Sequence, residues 1–366
     1  MQDDCPECEE WRARGARFCR NCGKALAESE VCPECDVWRQ RGANYCRNCG
    51  RKLGNAPEPL PCPPEDGDGQ TDCTRSAMFR LVATIALLAF SFTLIVAIAY
   101  GFIFFGDLMA VASPVGKVLF VLEFIAIIVS AAYAFYAVFR KNRGGRPEAV
   151  FTSGLCMACT GLCVSIFLTI LYIFLIGAFG EQIDASWMDE YTEIQLAYLL
   201  LTAGPEEEFI FRVLPIGIPM VIVALCYGRG RSSFRYLLGG FGMSRWAWIF
   251  LAISAVIFGY AHLGGWGWTK IIDAAMGGVI FGFIYCEFGL YACILAHTVN
   301  DTISLISYIG MGDALSSLIY FVIIGAGLAL LILWLIHPNR KYVRFWEAPW
   351  MDDGLPGSID EQWDRH

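Results

Sequence analysis

From Met78 onward the chain repeats one pattern, long apolar runs separated by short polar stretches, until the hydrophobic region ends near residue 336. A helix rises 1.5 Å per residue, so about 20 apolar residues cross the roughly 30 Å of hydrocarbon in a bilayer. Eight runs reach that scale, at residues 78–105, 117–139, 150–178, 193–227, 246–263, 269–288, 289–309 and 315–336. The fourth is too long for one straight span, and Pro205, Pro215 and Pro219 predict kinks or a break within it.

Composition agrees with lipid as the solvent. Of 366 residues 56% are hydrophobic and 17% charged, and the mean hydropathy is +0.51, too apolar for an ordinary soluble enzyme of this length. The net charge of −8 comes mostly from acidic linkers and the tail, which argues against nucleic acid as a partner. The N-terminus lacks a basic stretch followed by an apolar core, so the first membrane helix is expected to serve as the insertion signal. Short cytoplasmic loops carry excess Lys and Arg. Arg140, Lys141, Arg143 and Arg146, then Arg229, Arg231, Arg235 and Arg245, then Arg340, Lys341 and Arg344 all fall on one side if both termini are cytoplasmic. The opposite loops offer little beyond Lys117 and Lys270, and one of them, EQIDASWMDE, is acidic.

Ahead of the apolar region, CPECEEWRARGARFCRNCGKAL at 5–26 recurs as CPECDVWRQRGANYCRNCGRKL at 32–53. Each copy sets two Cys-x-x-Cys pairs ten residues apart: Cys5, Cys8, Cys19 and Cys22, then Cys32, Cys35, Cys46 and Cys49. Four thiolates at this spacing suit one tetrahedral ion. A unit this short buries too little apolar surface to fold unaided, so metal binding would supply folding free energy on the order of 10 kcal/mol. Each unit resembles a short zinc ribbon, which implies two structural Zn²⁺ ions; a redox pair or an iron knuckle is less favoured. The expected organisation is zinc ribbon 1 (1–27), zinc ribbon 2 (28–54), a Pro/Gly/acidic linker (55–76), a transmembrane domain (77–337) and a polar tail (338–366). The fold class is therefore an all-α polytopic membrane protein of about eight transmembrane helices, preceded by two small Cys₄ zinc ribbons.

The chemistry lies in charges that lipid does not tolerate. LAYLLLTAGPEEEFIFRVLP contains Glu206, Glu207, Glu208 and Arg212, and insertion scales put such groups at about 2.5–3.5 kcal/mol each at mid-bilayer. Glu208 and Arg212 are four apart and can pair on one helix face. Glu207 points about 100° away and is left to face a cavity. Glu206 is either a third polar wall residue or part of an unwound turn after Pro205. Two of the four histidines, His262 and His297, sit in later apolar runs, and Asn300 and Asp301 extend a polar stripe from His297. A carboxylate with imidazoles can position and deprotonate water, directly or through a bound divalent metal, and a polar pair of an imidazole with Asp or Asn can stabilise an oxyanion.

Glu207-Glu208-Phe-Ile-Phe-Arg212, Phe258-Gly-Tyr-Ala-His262 and His297-Thr-Val-Asn-Asp301 resemble the EExxxR, FxxxH and HxxxN/D motifs of the CAAX-protease and bacteriocin-processing family, in the same order. The resemblance covers roughly residues 195–305. It implies an intramembrane endopeptidase of the glutamate or metallo type, related to type II CAAX prenyl endopeptidases. Under it Glu207 and His262 activate water, His297 and Asp301 shape the oxyanion site with Asn300 as an alternative donor, and Glu208 and Arg212 support the helix. The implied partners are a protein or peptide substrate, lipid-modified or not, the bilayer, and a protein recruited by the ribbons. Two other readings fit the polar cluster: a non-catalytic membrane scaffold, or a proton-coupled transporter, although no internal inverted repeat is visible.

The remaining features have structural explanations. Cys156, Cys159 and Cys163 share an apolar helical face and are expected to pack as small residues. Gly277, Gly278 and Gly282 are expected to permit close helix approach, and Trp246, Trp248, Trp266 and Trp268 to anchor span ends. Glu123 in the second span is either a polar neighbour of the site or a packing residue.

Overall fold

The structure, a computed structural model, describes residues 69–142, 150–151, 153–226, 230–308 and 313–336. The eight ribbon cysteines, most of the linker and the polar tail lie outside the described residues. Apart from the first turn of the first helix, everything below belongs to the unit Thr74–His366.

The described residues form helices and no strand. In chain order these are α1 (Gly69–Ile103), α2 (Phe105–Val111), α3 (Pro114–Asn142), α4 (Gly154–Ala178), α5 (Glu193–Glu208), α6 (Ile218–Cys226), α7 (Arg245–Ala261), α8 (Leu263–Trp266), α9 (Lys270–Phe288), α10 (Leu290–Tyr308) and α11 (Asp313–Ile336). Local chemistry sets several of the boundaries. The Ser153 and Ser244 side chains accept from the backbone N–H of Cys156 and Ala247 at the starts of α4 and α7, and Thr192 with Gln195 forms a capping box before α5. Gly289, with φ +101°, ends α9 in a conformation that only glycine adopts freely, and α10 begins at the next residue.

Among the described residues six helices are long and apolar enough to cross a membrane: Ala77–Ile103, Pro114–Phe139, Gly154–Ala178, Glu193–Cys226, Arg245–Trp266 and Lys270–Phe288. The other two of the eight expected runs are helical too, but by different criteria. The last supplies a shorter apolar helix, Ser317–Leu333. The seventh, α10, carries His297, Asn300 and Asp301 in its middle, and these lower its hydropathy. α1 begins at Gly69, within the stretch read as linker, and its apolar span begins at Ala77. The last proline of the linker is Pro64, so no later residue opposes helix formation by ring geometry.

The fourth run is not broken at its prolines. Pro205 sits inside α5, and between α5 and α6 the helix widens into a π-type segment, Phe209–Gly217, that contains Pro215. A proline removes one backbone donor, and the ladder absorbs the loss by changing register rather than by unwinding. Glu206 is therefore helical and exposed, not part of an unwound turn.

α10 is the centre of the bundle. It packs against α3, α4, α5, α9 and α11, and it is buried from Ala292 to Ile306 with few interruptions. A helix enclosed by other helices can carry polar groups that a lipid-facing helix cannot. On the periphery the pattern reverses, and large apolar side chains such as Phe174 (74% exposed) and Phe321 (77%) face outward. Cys156 and Cys159 are fully buried within the main apolar core, as small packing residues. Glycines bring helices close: an added Cβ would lie 3.0 Å from Ala255 Cα at Gly278 and 3.0 Å from Leu251 Cγ at Gly282, whereas at Gly277 its nearest neighbour would be Ser165 Oγ at 3.8 Å, and at Gly327 of α11 it would lie 2.1 Å from the Cys163 carbonyl of α4.

Candidate active site

Three helical segments supply the site. α5 crosses α10 at Gly204, where a Cβ would stand 3.0 Å from the Thr298 backbone nitrogen. That close crossing lays the end of α5, with Glu207 and Glu208, against His297. Two residues into the π-type segment, its Phe211 carbonyl accepts a hydrogen bond from Ser254 Oγ of α7, which ties the acidic segment to the helix that ends just before His262.

Glu208 and Arg212 form the buried base of the site. Both side chains are fully buried, and Arg212 Nε lies 3.1 Å from Glu208 Oε2. Arg212 also donates through Nη1 to Ser254 Oγ at 3.3 Å, and its guanidinium sits 4.8 Å above the Phe258 ring. The other oxygen of Glu208, Oε1, is 2.7 Å from His297 Nδ1. With Oε1 as an acceptor, Nδ1 is assigned as the N–H donor and Nε2 is left to face the rest of the cluster.

Around His297 Nε2 the remaining groups gather. Glu207 Oε2 is 3.5 Å away and Asp301 Oδ2 3.7 Å away. His262 Nε2 is 4.0 Å from the same Glu207 oxygen. His262 donates from Nδ1 to the Phe258 carbonyl at 2.8 Å, so its Nε2 lone pair faces Glu207. The FxxxH spacing thus places on one helical turn both the carbonyl that fixes the tautomer and the ring it fixes. Phe281 stacks on the His297 ring with centroids 5.1 Å apart. Accessibility is graded: the Glu207 side chain is 27% exposed and His262 16%, whereas His297 is 6%.

Six of the seven side chains read from the motifs meet in this cluster. The seventh, Asn300, joins through Asp301, donating from Nδ2 to Oδ1 at 3.1 Å. Glu123 is electrostatically coupled to Glu206 and Tyr198 rather than to the His297 group. Sequence reasoning missed two supports. Ser254 is the one serine of the apolar helix α7. Cys293, one turn before His297, lies within electrostatic reach of Glu208 and donates to the Phe281 carbonyl at 3.0 Å. Neither carries a pattern that distinguishes it from packing residues.

Among the described residues no set of three or more His, Cys, Asp or Glu side chains is arranged to hold a metal ion, and His297 Nδ1 is already committed to Glu208. These contacts leave Glu207 Oε2, His262 Nε2 and His297 Nε2 facing one another.

No curated protein and no solved structure matches the chain. Residues 191–303 match the family model described as Type II CAAX prenyl endopeptidase Rce1-like, and residues 5–50 match the model described as Double zinc ribbon. The first match encloses every residue of the cluster. This is a multi-pass membrane protein that carries a double zinc ribbon at its N-terminus and, over residues 191–303, a domain similar to the Rce1-like type II CAAX prenyl endopeptidases.

Proposed function

We propose that the chain is an intramembrane endopeptidase that hydrolyses a peptide bond of a protein or peptide substrate, with Glu207 as the general base. One observation carries this reading: Glu207 Oε2 lies within 4.0 Å of the Nε2 atoms of both His262 and His297, although the three side chains come from three separate helices. Glu207 Oε2 and His262 Nε2 are both acceptors. Two acceptors facing each other at this distance are satisfied by one water that donates a proton to each, leaving an oxygen lone pair free to attack a carbonyl. Glu207 takes the proton as the C–O bond forms and delivers it to the leaving amine as the C–N bond breaks.

The tetrahedral oxyanion needs a donor, and His297 Nε2, when protonated, is the one in place. Glu208, Glu207 and Asp301 surround the imidazole and stabilise its positive charge. Asp301 then acts through His297 rather than as a direct donor, because its Oδ1 already accepts from Asn300. Substrates with a lipid-modified chain are those the family's name points to. The basic loops favour both termini in the cytoplasm, where reduced Cys₄ ribbons would keep zinc.

The test is cleavage by the full chain in lipid nanodiscs of peptide libraries with and without a prenylated cysteine, run in H₂¹⁸O and read by mass spectrometry. Hydrolysis places about one heavy oxygen in the new carboxyl terminus. If no peptide in either library is cut, the protease reading fails. The same preparation is expected to hold about two zinc ions per chain by elemental analysis, and Cys19→Ser with Cys46→Ser to remove them. Zinc content unchanged in that variant would refute Cys₄ ligation.

A further inference from the structure

Asp273 is a buried acid that the proposed chemistry does not use. It lies in the first turn of α9 and is 4% exposed. An ionisable group enclosed in a membrane domain is retained at considerable cost unless partners compensate for it, and here both oxygens are engaged. Oδ1 accepts from Thr169 Oγ1 of α4 at 2.6 Å, and Oδ2 pairs with Lys270 Nζ at 2.6 Å.

The contacts continue from Lys270 to the segment that presents His262. The Lys270 ammonium sits 5.0 Å over the Trp266 ring. The Trp266 backbone N–H donates to the His262 carbonyl at 3.1 Å, closing the single turn of α8. The adjacent Thr269 is held twice, its carbonyl accepting from Tyr172 at 2.7 Å and its hydroxyl donating to the Gln182 carbonyl at 2.9 Å. His262 itself stands between the last residue of α7 and the first of α8, capping both. Its side chain has one hydrogen-bonded anchor, the Phe258 carbonyl.

We propose that Asp273 is a positioning residue for His262: with Thr169 and Lys270 it clamps the 262–270 turn to α4 and so sets the gap between His262 Nε2 and Glu207. The claim rests on the protease reading for its consequence in catalysis, but the clamp itself can be observed without any substrate. Misplacing a reacting group by about 1 Å can slow a step by about 100-fold. A misplaced base neighbour lowers turnover while leaving remote substrate contacts intact.

The experiment compares Asp273→Asn, which keeps the Thr169 bond but not the ion pair, with Asp273→Glu, which keeps the charge. In Asp273→Asn, kcat is expected to fall about 10- to 100-fold with KM within about twofold of the parent, and Asp273→Glu to recover most of the loss. Amide exchange in the full chain is expected to speed up at least about 10-fold across residues 262–268 in Asp273→Asn and to stay unchanged across 293–301. Parental exchange at 262–268 in Asp273→Asn would overturn the clamp, as would equal acceleration in both segments, which marks general loosening. If the parent cleaves no peptide, the protease reading fails and the exchange measurement still decides the clamp.

Discussion

Glu207→Gln is expected to remove peptide cleavage, lowering turnover by about 100- to 10,000-fold, the range a general base contributes, while the thermal midpoint stays near that of the parent. The substitution keeps size and shape. It replaces an acceptor that can take a proton by an amide that cannot, and Glu207 is the most exposed member of the cluster, so little folding energy depends on its charge. His262 and His297 would still face the site, and substrate binding should change less than turnover. Measured kcat and KM, alongside a melting curve, check this. Equal turnover in the variant would remove Glu207 from the chemistry.

Arg212→Met is expected to act in the opposite place, on stability first. Arg212 and Glu208 are both fully buried and 3.1 Å apart. Removing one member of such a pair leaves an uncompensated charge, a loss of about 3–5 kcal/mol. The double variant Arg212→Met, Glu208→Gln should regain much of that stability because neither charge remains. It should not regain activity, since His297 Nδ1 would then donate to a neutral amide and its imidazolium would lose its strongest support. Thermal unfolding and turnover measured on both variants separate the two effects. Joint recovery of stability and activity would mean that the pair is only a packing element.

The candidate site was largely legible because lipid makes polar residues conspicuous. Glu207, Glu208 and Arg212 stand out in an apolar run, their spacing predicts the Glu208–Arg212 pair, and His262 and His297 are two of only four histidines. The same criterion, applied to the run beginning TKIIDAAMGG, would have singled out Asp273; counting that run simply as a span hid it. What could not be read was contact between helices distant in sequence. Nothing in the local pattern announces that Glu208 binds His297 across 89 residues, or that Ser254 and Cys293 support the base of the site. The three prolines predicted kinks or a break where the chain makes a π-type segment, since a missing donor constrains the ladder without dictating how the ladder adjusts. The low hydropathy of α10 comes from the polar stripe of His297, Asn300 and Asp301, which is shielded by five neighbouring helices rather than by its own composition.

The central position of α10 also bears on biogenesis. An Asp at the middle of a helix carries an insertion penalty of about 2.5–3.5 kcal/mol, and α10 adds His297 and Asn300 to that load. Left to partition alone during synthesis, such a segment would favour water or the translocation channel over the bilayer. It gains a stable home only once α3, α4, α5 and α9 are already embedded to receive it, so integration of the penultimate described helix becomes a proofreading step: chains whose earlier helices have not assembled would leave it stranded and open to quality control.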